Sequence, residues 1–290
     1  MSPPRRRAVL AAITALILAG CAQVPSAVAP HDTRPPAESA PLPPADDLPL
    51  SSYFTTVHTP LIDGAAAFTG EVARPNGSIT VHDNQGYPIA TVSSEEALPV
   101  IGRSVGWIRV MLPSRRALPG EGVPVNGGTG WISESGVVIE KVAVRFRISL
   151  DEQRLDVLTP AGDRVTESFP ALIGSEVPLG PTFVAPGGGV AECGTAPINL
   201  IAQSEVTASY RGQPVSPVFI AGPTPECGYT PQEIADIAPR SIQLAPEHLD
   251  ELAALTVPGT FVGVVSASGP ANSEPLRYWP RPGIRCLRYE

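Results

Sequence analysis

The sequence contains few of the side chains that usually carry acid–base chemistry. Among its 290 residues there is one lysine, Lys141, and there are four histidines, at positions 31, 58, 82 and 248. Acidic residues outnumber basic ones by 28 to 20, so the chain lacks the basic face that binding to nucleic-acid phosphates requires. Beyond residue 20, no stretch is apolar over enough length to cross the roughly 30 Å core of a bilayer as a helix. We therefore expect no nucleic-acid partner and no membrane-spanning helix after residue 20.

The first 20 residues have the pattern of an export signal. Three arginines, Arg5 to Arg7, precede an apolar run that ends at Ala19 and is too short to span a bilayer. The run closes with Leu-Ala-Gly-Cys at residues 18–21, which resembles a bacterial lipobox. This resemblance implies that residues 1–20 are removed and that Cys21 is acylated, and acyl chains hold a protein at a membrane by about 0.8 kcal/mol per buried methylene. The alternative is an ordinary export signal followed by a chance cysteine. In either case we expect the rest of the chain to face the cell exterior or the periplasm.

Residues 21–52 have the composition of an extended linker. Between residues 22 and 50 there are eight prolines, no glycine and few large apolar side chains. Such a segment cannot bury a core, and it extends by up to about 3.1 Å per residue. Loss of the leader would also remove three arginines and take the formal net charge from -8 to -11. We thus predict an acidic folded part that a linker holds away from a membrane.

Residues 53–140 are predicted to form a small β-barrel. Ile79 and Val81 alternate with polar residues, and the turn residues 83–86 lead into a second alternating stretch, which is typical of a β-hairpin. Gly-Trp pairs then begin two more strands, at Trp107 and Trp131, on either side of a loop rich in glycine and proline. This succession of short strands, one long loop and two Gly-Trp pairs resembles bacterial SH3-like domains, the small barrels of exported wall proteins. The two tryptophans could line a groove for sugars or proline-rich peptides, or they could close the barrel core.

Residues 141–265 begin with the clearest strand pattern in the chain. Every second residue from Val142 to Leu150 is apolar, which predicts a strand with one buried face. The features that follow resemble the opening of the L,D-transpeptidase catalytic domain: Gln153 and Leu155, Gly162, Phe169-Pro170 leading to Gly174, and the stretch from Pro178 to Phe183. The resemblance implies a β-sandwich with a short helix. The predicted fold class is therefore mainly β, with an SH3-like barrel followed by an L,D-transpeptidase-like sandwich.

The end of this domain resembles the transpeptidase active-site segment but lacks its reactive residues. In that family a nucleophilic cysteine lies in a Ser-x-Gly-Cys-Ile-Arg stretch, followed by a helix and then by Gly-Thr-x-Val. Here Ile242 follows Ser241, Pro246 opens a predicted helix, and Gly259 comes 18 positions after Ser241. The motif's serine, glycine, cysteine and arginine are replaced by Ala238, Arg240, Ser241 and Gln243, and the family's upstream histidine is replaced by Ala221.

These replacements lead us to expect no catalysis. A cysteine nucleophile needs a nearby histidine and donors for the oxyanion, and a serine hydroxyl, a far weaker acid, needs a general base. Lys141 lies far from Ser241 in the sequence. His248 falls in the first turn of the predicted helix, where we expect an exposed, solvated side chain. The alternative is an active L,D-transpeptidase or peptidase of peptidoglycan with an atypical site.

The cysteines that follow the leader, Cys193, Cys227 and Cys286, allow three pairings in an oxidising exterior. We favour a disulfide between Cys193 and Cys227, because the family resemblance places both around the active-site face. Cys286 is followed too closely by the chain end to leave room for the motif's helix and strand. Residues 266–290 form an aromatic tail, which could dock over the degenerate site, on a partner, or on its own domain.

Two functional hypotheses remain. The first is a membrane-anchored envelope protein whose noncatalytic transpeptidase-like domain binds peptidoglycan or wall-synthesis enzymes. The second is an enzyme of the transpeptidase or peptidase class. The sequence suggests no cofactor and no metal site for either. A base and oxyanion donors that converge on Ser241 would distinguish the second hypothesis from the first.

Overall fold

Strands make up most of the regular structure. The structure, a computed structural model, describes residues 47–63, 67–160, 162–187, 196–222, 232 and 236–266. The strands are β1 (Glu71–Pro75), β2 (Ile79–His82), β3 (Pro88–Val92), β4 (Leu98–Ser104), β5 (Trp107–Met111), β6 (Thr129–Ser133), β7 (Val137–Lys141), β8 (Arg145–Ser149), β9 (Arg154–Leu158), β10 (Val165–Pro170), β11 (Leu172–Ile173), β12 (Gly180–Phe183), β13 (Ile198–Gln203), β14 (Pro217–Ala221), β15 (Ser241–Gln243) and β16 (Phe261–Val265). The predicted short helix is α1 (Pro246–Leu255). The mainly β fold class is therefore confirmed.

The first seven strands form one antiparallel sheet in the order β3-β2-β6-β5-β4-β1-β7. The predicted hairpin joins β2 to β3. Its turn is held by Asp83, whose Oδ1 accepts hydrogen bonds from the backbone N–H groups of Gln85 and Tyr87. Gly86 in the same turn has a φ of 87°, which glycine adopts without strain. Ile108 and Val110 of β5 are fully buried, and Arg109 and Met111 on the opposite face of the strand are buried as well.

Two further sheets face each other across a second core. Their strand orders are β10-β9-β8-β16-β12 and β11-β15-β14-β13. Phe146 of β8 and Val262 of β16 belong to the same buried cluster as Val218 of β14 and Ile242 of β15. Of the strand predicted from Val142 to Leu150, β8 covers Arg145–Ser149, and Phe146 and Ile148 are fully buried in it as expected. Arg145 and Ser149 on the other face are buried as well, so the prediction of a single buried face is wrong. This packing is the β-sandwich that the sequence analysis predicted.

Helix α1 follows β15 of one sandwich sheet and precedes β16 of the other. Proline suits the first helical position because its fixed φ matches the helix and its missing N–H is not needed there. Leu249 and Leu252 point the apolar side of α1 into the sandwich core. No helix in the described ranges is both long and apolar enough to cross a membrane.

The seven-stranded sheet and the sandwich are packed together, since their strands all belong to the same compact unit of the chain. Met111 of the first sheet and Phe183 and Phe261 of the sandwich share an apolar cluster. The Asn126 side chain also donates to the carbonyl of Gln203 at 2.8 Å and accepts from the N–H of Gln203 at 2.8 Å. We call this contact the junction. The sequence patterns do not predict it, since it joins residues far apart in the chain.

Candidate functional site

The predicted nucleophile position lies in the middle of the four-stranded sheet. Ser241 begins β15, which pairs with β11 on one side and runs parallel to β14 on the other. Along the β14 pairing, Ser241 lies opposite Phe219, and Gln243 lies opposite Ala221. The structure therefore brings the predicted histidine position and the predicted arginine position together on neighbouring strands. Ala221 and Gln243 supply neither an imidazole nor a guanidinium at these positions.

Ser241 is fully buried, and its hydrogen bonds are satisfied locally. Its Oγ donates to the carbonyl oxygen of Ala238 at 3.1 Å and accepts from Nε2 of Gln243 at 3.1 Å. The backbone N–H of Ser241 also donates to the Ala238 carbonyl. A peptide carbonyl cannot act as a general base, and an N–H bound to it is not available to an oxyanion. The hydroxyl proton that a base would remove and the N–H that would bind an oxyanion are therefore both donated to the Ala238 carbonyl.

No candidate base contacts Ser241 in the described part of the chain. His248 is half-buried on α1, where its ring packs at 4.9 Å from the Phe169 ring and its Nδ1 is buried without a hydrogen bond. The expectation of a solvated His248 is therefore wrong, because β10 supplies an aromatic neighbour. His58 is exposed, and His82 packs on Trp107 in the other sheet.

Arg240, the residue before Ser241, is a buried cation. It is 3% exposed, its Nη1 donates to Oγ of Ser216 at 3.1 Å, and its Nη2 donates to the carbonyl of Asp236. Its guanidinium lies 4.0 Å from the centroid of the Tyr210 ring, in a cation–π contact. Sequence reasoning missed Tyr210 and Ser216, since both lie outside every motif of the family. A tyrosine between two turn-forming stretches carries no signal of its own.

The backbone before Ser241 is held by close packing against Gly174. The 3-10 turn Ala238–Arg240 passes so near that a Cβ on Gly174 would lie 2.2 Å from the carbonyl oxygen of Ala238. The N–H of Gly174 donates to the carbonyl of Ser241 at 2.9 Å, and the N–H of Glu176 donates to the carbonyl of Pro239 at 2.7 Å. These bonds hold the turn that carries Ala238, whose carbonyl accepts from Ser241.

Trp107 and Trp131 lie outside the buried core of the first sheet. Trp107 is 38% exposed, so the interpretation that it closes the barrel core is wrong. The His82 ring meets the Trp107 ring at about a right angle, with the ring centroids 5.0 Å apart. The residue His82 also lies opposite Trp131 in the pairing of β2 with β6. Nε1 of Trp131 donates to Oδ1 of Asn84 at 3.1 Å. We call these four residues the aromatic face.

Several predicted sites lie outside the described residues. They are the lipidation site Cys21, the proposed disulfide partners Cys193 and Cys227, and Cys286 in the tail. The linker up to residue 46 and the tail from residue 267 lie outside them as well. These predictions remain as the sequence analysis made them.

Comparison with known proteins finds similarity in solved structures only. Neither a family model nor a curated protein matches the chain. The Bdellovibrio bacteriovorus Bd1075 structure is 13% identical with a TM-score of 0.31, over 43% of this chain and 48% of that one, so the chain spans about half its length. Mycobacterium tuberculosis L,D-transpeptidase 1 is 14% identical with a TM-score of 0.28, over 47% and 77% of the two chains. An L,D-transpeptidase from Mycobacterium smegmatis is 10% identical with a TM-score of 0.27, over 55% and 90%. Similarity at this level assigns no function.

Proposed function

We propose that the chain is a noncatalytic protein of the bacterial cell envelope that binds peptidoglycan or the enzymes that build it. In this proposal residues 1–20 are an export signal, acylated Cys21 anchors the protein in a membrane, and residues 21–52 are a linker. Residues 53–140 form an SH3-like unit, and residues 141–265 keep an L,D-transpeptidase-like sandwich without its chemistry. The observation that carries the proposal is that the Oγ–H and the N–H of Ser241 both donate to the Ala238 carbonyl.

That arrangement opposes acyl transfer in two ways. Attack on a peptide carbonyl needs a base to remove the hydroxyl proton, and it needs donors aimed at the oxygen that becomes negative. At Ser241 the partial negative charge of a carbonyl oxygen occupies the position that both functions would use. A substrate carbonyl would also have to reach a side chain that is fully buried. The burial of Ser241 and its hydrogen bonds to neighbouring residues thus support a structural role for this side chain.

The binding part of the proposal is supported by the aromatic face. Exposed aromatic rings next to hydrogen-bonding side chains suit sugars, because the rings stack on the apolar faces of sugar rings while polar groups bind the hydroxyls. Trp107 supplies the exposed ring, His82 packs edge-on against it, and Asn84 supplies an amide beside Trp131. An acidic chain is not attracted to peptidoglycan by charge, so stacking and hydrogen bonding must supply the affinity.

We expect the purified protein to be inert as an acyltransferase. Incubation with a carbapenem and with tetrapeptide muropeptides should give no mass increase of the protein and no crosslinked product. The Ser241→Cys variant should stay inert as well, because Ala221 offers no imidazole and the Ala238 carbonyl remains in place. Intact-protein mass spectrometry and chromatography of the muropeptides provide the two measurements.

One result would contradict the noncatalytic proposal and favour the enzyme hypothesis. It is a covalent adduct that maps to Ser241 in the parent protein and disappears in Ser241→Ala. A catalytically active L,D-transpeptidase analysed in parallel verifies that the reagents are competent.

Binding to peptidoglycan is tested by cosedimentation with purified sacculi. The parent protein should sediment with them, and Trp107→Ala should bind about fivefold more weakly, the loss expected for one aromatic contact of about 1 kcal/mol. Val105→Ala is the matched control, since Val105 is 97% exposed in the turn just before Trp107. Equal binding of the two variants would remove the aromatic face from the proposal. If the parent protein does not sediment with sacculi, peptidoglycan binding is excluded. Binding to wall-synthesis enzymes is then the part of the proposal that remains.

A further inference from the structure

Two buried arginines form no ion pair with a carboxylate among the described residues, although the charge of Glu121 acts on one of them, Arg115. Arg115 is 5% exposed and Arg240 is 3% exposed, and neither takes part in any of the ion pairs of the described chain. By contrast, Arg145 and Arg147, also largely buried, pair with Asp163 and Asp156. A buried cation without an anion is costly, because desolvation is not offset by a paired charge. The two exceptions are therefore buried positive charges that an added anion would stabilise.

Both guanidiniums dock on the same short segment between β13 and β14. Nη1 of Arg115 donates to the carbonyl of Ala208 at 3.1 Å, and Arg240 stacks on Tyr210 two residues further on. Arg115 comes from the first sheet's side of the junction and Arg240 from the sandwich. The junction thus brings together two positive charges that lie far apart in the sequence.

Tyr53 lies on a chain segment that is hydrogen-bonded to Arg115. The backbone N–H of Arg115 donates to Thr55, and the N–H of Val57 donates to Arg115, which fastens the Tyr53 segment beside Arg115. The carbonyl of Tyr53 accepts from Nε2 of Gln203 at 2.9 Å.

Gln203 links Tyr53 to Arg240 through one further residue. Its Oε1 accepts from the N–H of Ser216, and the Ser216 hydroxyl in turn accepts from Arg240. We call Tyr53, Arg115, Tyr210, Ser216 and Arg240 the arginine cluster.

The cluster has unused donors. The Tyr53 hydroxyl and Nε of Arg115 are buried and have no hydrogen-bond partner. Burial raises the pKa of the Tyr53 hydroxyl well above its usual value, although the charges of Arg240 and Arg115 oppose this effect, so the hydroxyl keeps its proton and can donate. The rings of Tyr53 and Tyr210 are only partly buried, so the cluster lies close below the surface.

We propose that the arginine cluster binds the free carboxylate of a peptide, with donors from Arg115, Arg240 and the Tyr53 hydroxyl. A carboxylate is planar and accepts hydrogen bonds on two oxygens, which is the geometry that guanidinium groups match best. The assignment of the peptide to peptidoglycan rests on the proposed function, since the stem peptides of peptidoglycan end in a free carboxylate. Arg240 then has a ligand-binding role at the position where the family motif has glycine.

The experiment is calorimetric titration of the full chain with a stem tetrapeptide and with the same peptide carrying a C-terminal amide. The free acid should bind at least about tenfold more tightly than the amide, because hydrogen bonds to charged groups are the strong ones. Tyr53→Phe should weaken binding of the acid by about tenfold and leave the melting temperature of the unliganded protein unchanged or higher. The reason is that it deletes a buried hydroxyl without a partner and keeps the ring. Arg74→Gln is the control, since Arg74 is a surface residue of the first sheet that pairs with Glu140.

The outcomes distinguish this inference from the proposed function. Equal affinity for acid and amide overturns the carboxylate site, as does a Tyr53→Phe variant that melts lower but binds the acid with unchanged affinity. Sedimentation with sacculi without any binding of the tetrapeptide also overturns the site and leaves the proposed function standing. Failure to bind both the tetrapeptide and sacculi counts against peptidoglycan binding itself.

Discussion

Replacement of Asp156 by asparagine is expected to destabilise the protein by about 3 kcal/mol at neutral pH, the low end of the range for breaking a buried ion pair. Asp156 in β9 is 1% exposed. Its Oδ2 accepts from Nε of Arg147 at 2.9 Å and also from Nη2 of Arg147, and its Oδ1 accepts from the Ser168 hydroxyl at 2.7 Å. Asparagine has nearly the same shape but no charge. The variant would therefore leave the Arg147 guanidinium, which is 16% exposed, without its anion.

The loss should depend on pH in a defined direction. Burial by itself would raise the pKa of Asp156, but hydrogen bonds from Arg147 and Ser168 and the charges of Arg147 and Arg154 outweigh it, so the pKa lies below its usual value. A carboxyl group with a lowered folded-state pKa stabilises the fold at pH values above its unfolded-state pKa. That contribution disappears as the pH falls through the folded-state pKa. The two proteins should therefore differ most near pH 7 and converge in acid.

Thermal unfolding followed by circular dichroism at several pH values measures this effect. A loss of about 3 kcal/mol corresponds to roughly 6 to 12 °C in melting temperature for a protein of this size. The control is Glu152→Gln, which removes a carboxylate that is 55% exposed and pairs with Arg154, and which should change stability by less than about 1 kcal/mol. A constant difference between parent and Asp156→Asn down to strong acid would exclude the ion pair as its cause.

Gly174→Ala is expected to cost about 3 kcal/mol, the upper part of the usual range for overpacking. The added Cβ would lie 2.2 Å from the Ala238 oxygen and 2.3 Å from the Pro239 oxygen, and backbone atoms cannot move aside as a flexible side chain can. Relief would require the 3-10 turn to move. That movement would strain the two hydrogen bonds that Gly174 and Glu176 make to the turn and to β15.

Gly77→Ala is the matched control for this prediction. A Cβ at Gly77 would meet no atom within 4 Å, and its φ is not in the left-handed region. The control should unfold at the same urea concentration as the parent or slightly higher, because alanine has less freedom in the unfolded chain. If both variants unfolded alike, the close approach at Gly174 would carry no energetic weight.

The elements around the site could be predicted because their signals are local. Proline at the start of α1, the Asp83 turn and the alternation that ends in Phe146 and Ile148 all act within a few residues. The order of Ser241, a helix and Gly259 is also read along the chain. For these features one sequence is sufficient.

What surrounds the site could not be predicted, since it depends on contacts between distant segments. The acceptor for Ser241 is set by a turn pressed against Gly174 from another strand. Arg240 could be recognised as a departure from the motif, but Tyr210 and Tyr53 join it only through the folding of two sheets onto each other. The exposure of Trp107 depends on which face of its sheet is covered, and the pattern of one strand does not contain this information.

The junction connects the first sheet directly to the sandwich. Asn126 and Gln203 are doubly hydrogen-bonded and the aromatic rings of Phe68 and Phe261 stack at 5.0 Å, so the first sheet is attached to the sandwich by direct contacts. Such contacts limit how far the aromatic face and the arginine cluster can move relative to each other. A ligand that occupies one of them reaches the other at a high effective concentration only if its own length matches the separation between them. If both surfaces bind peptidoglycan as proposed, a polymer whose repeat matches that separation would be bound more tightly than a fragment that reaches only one of them.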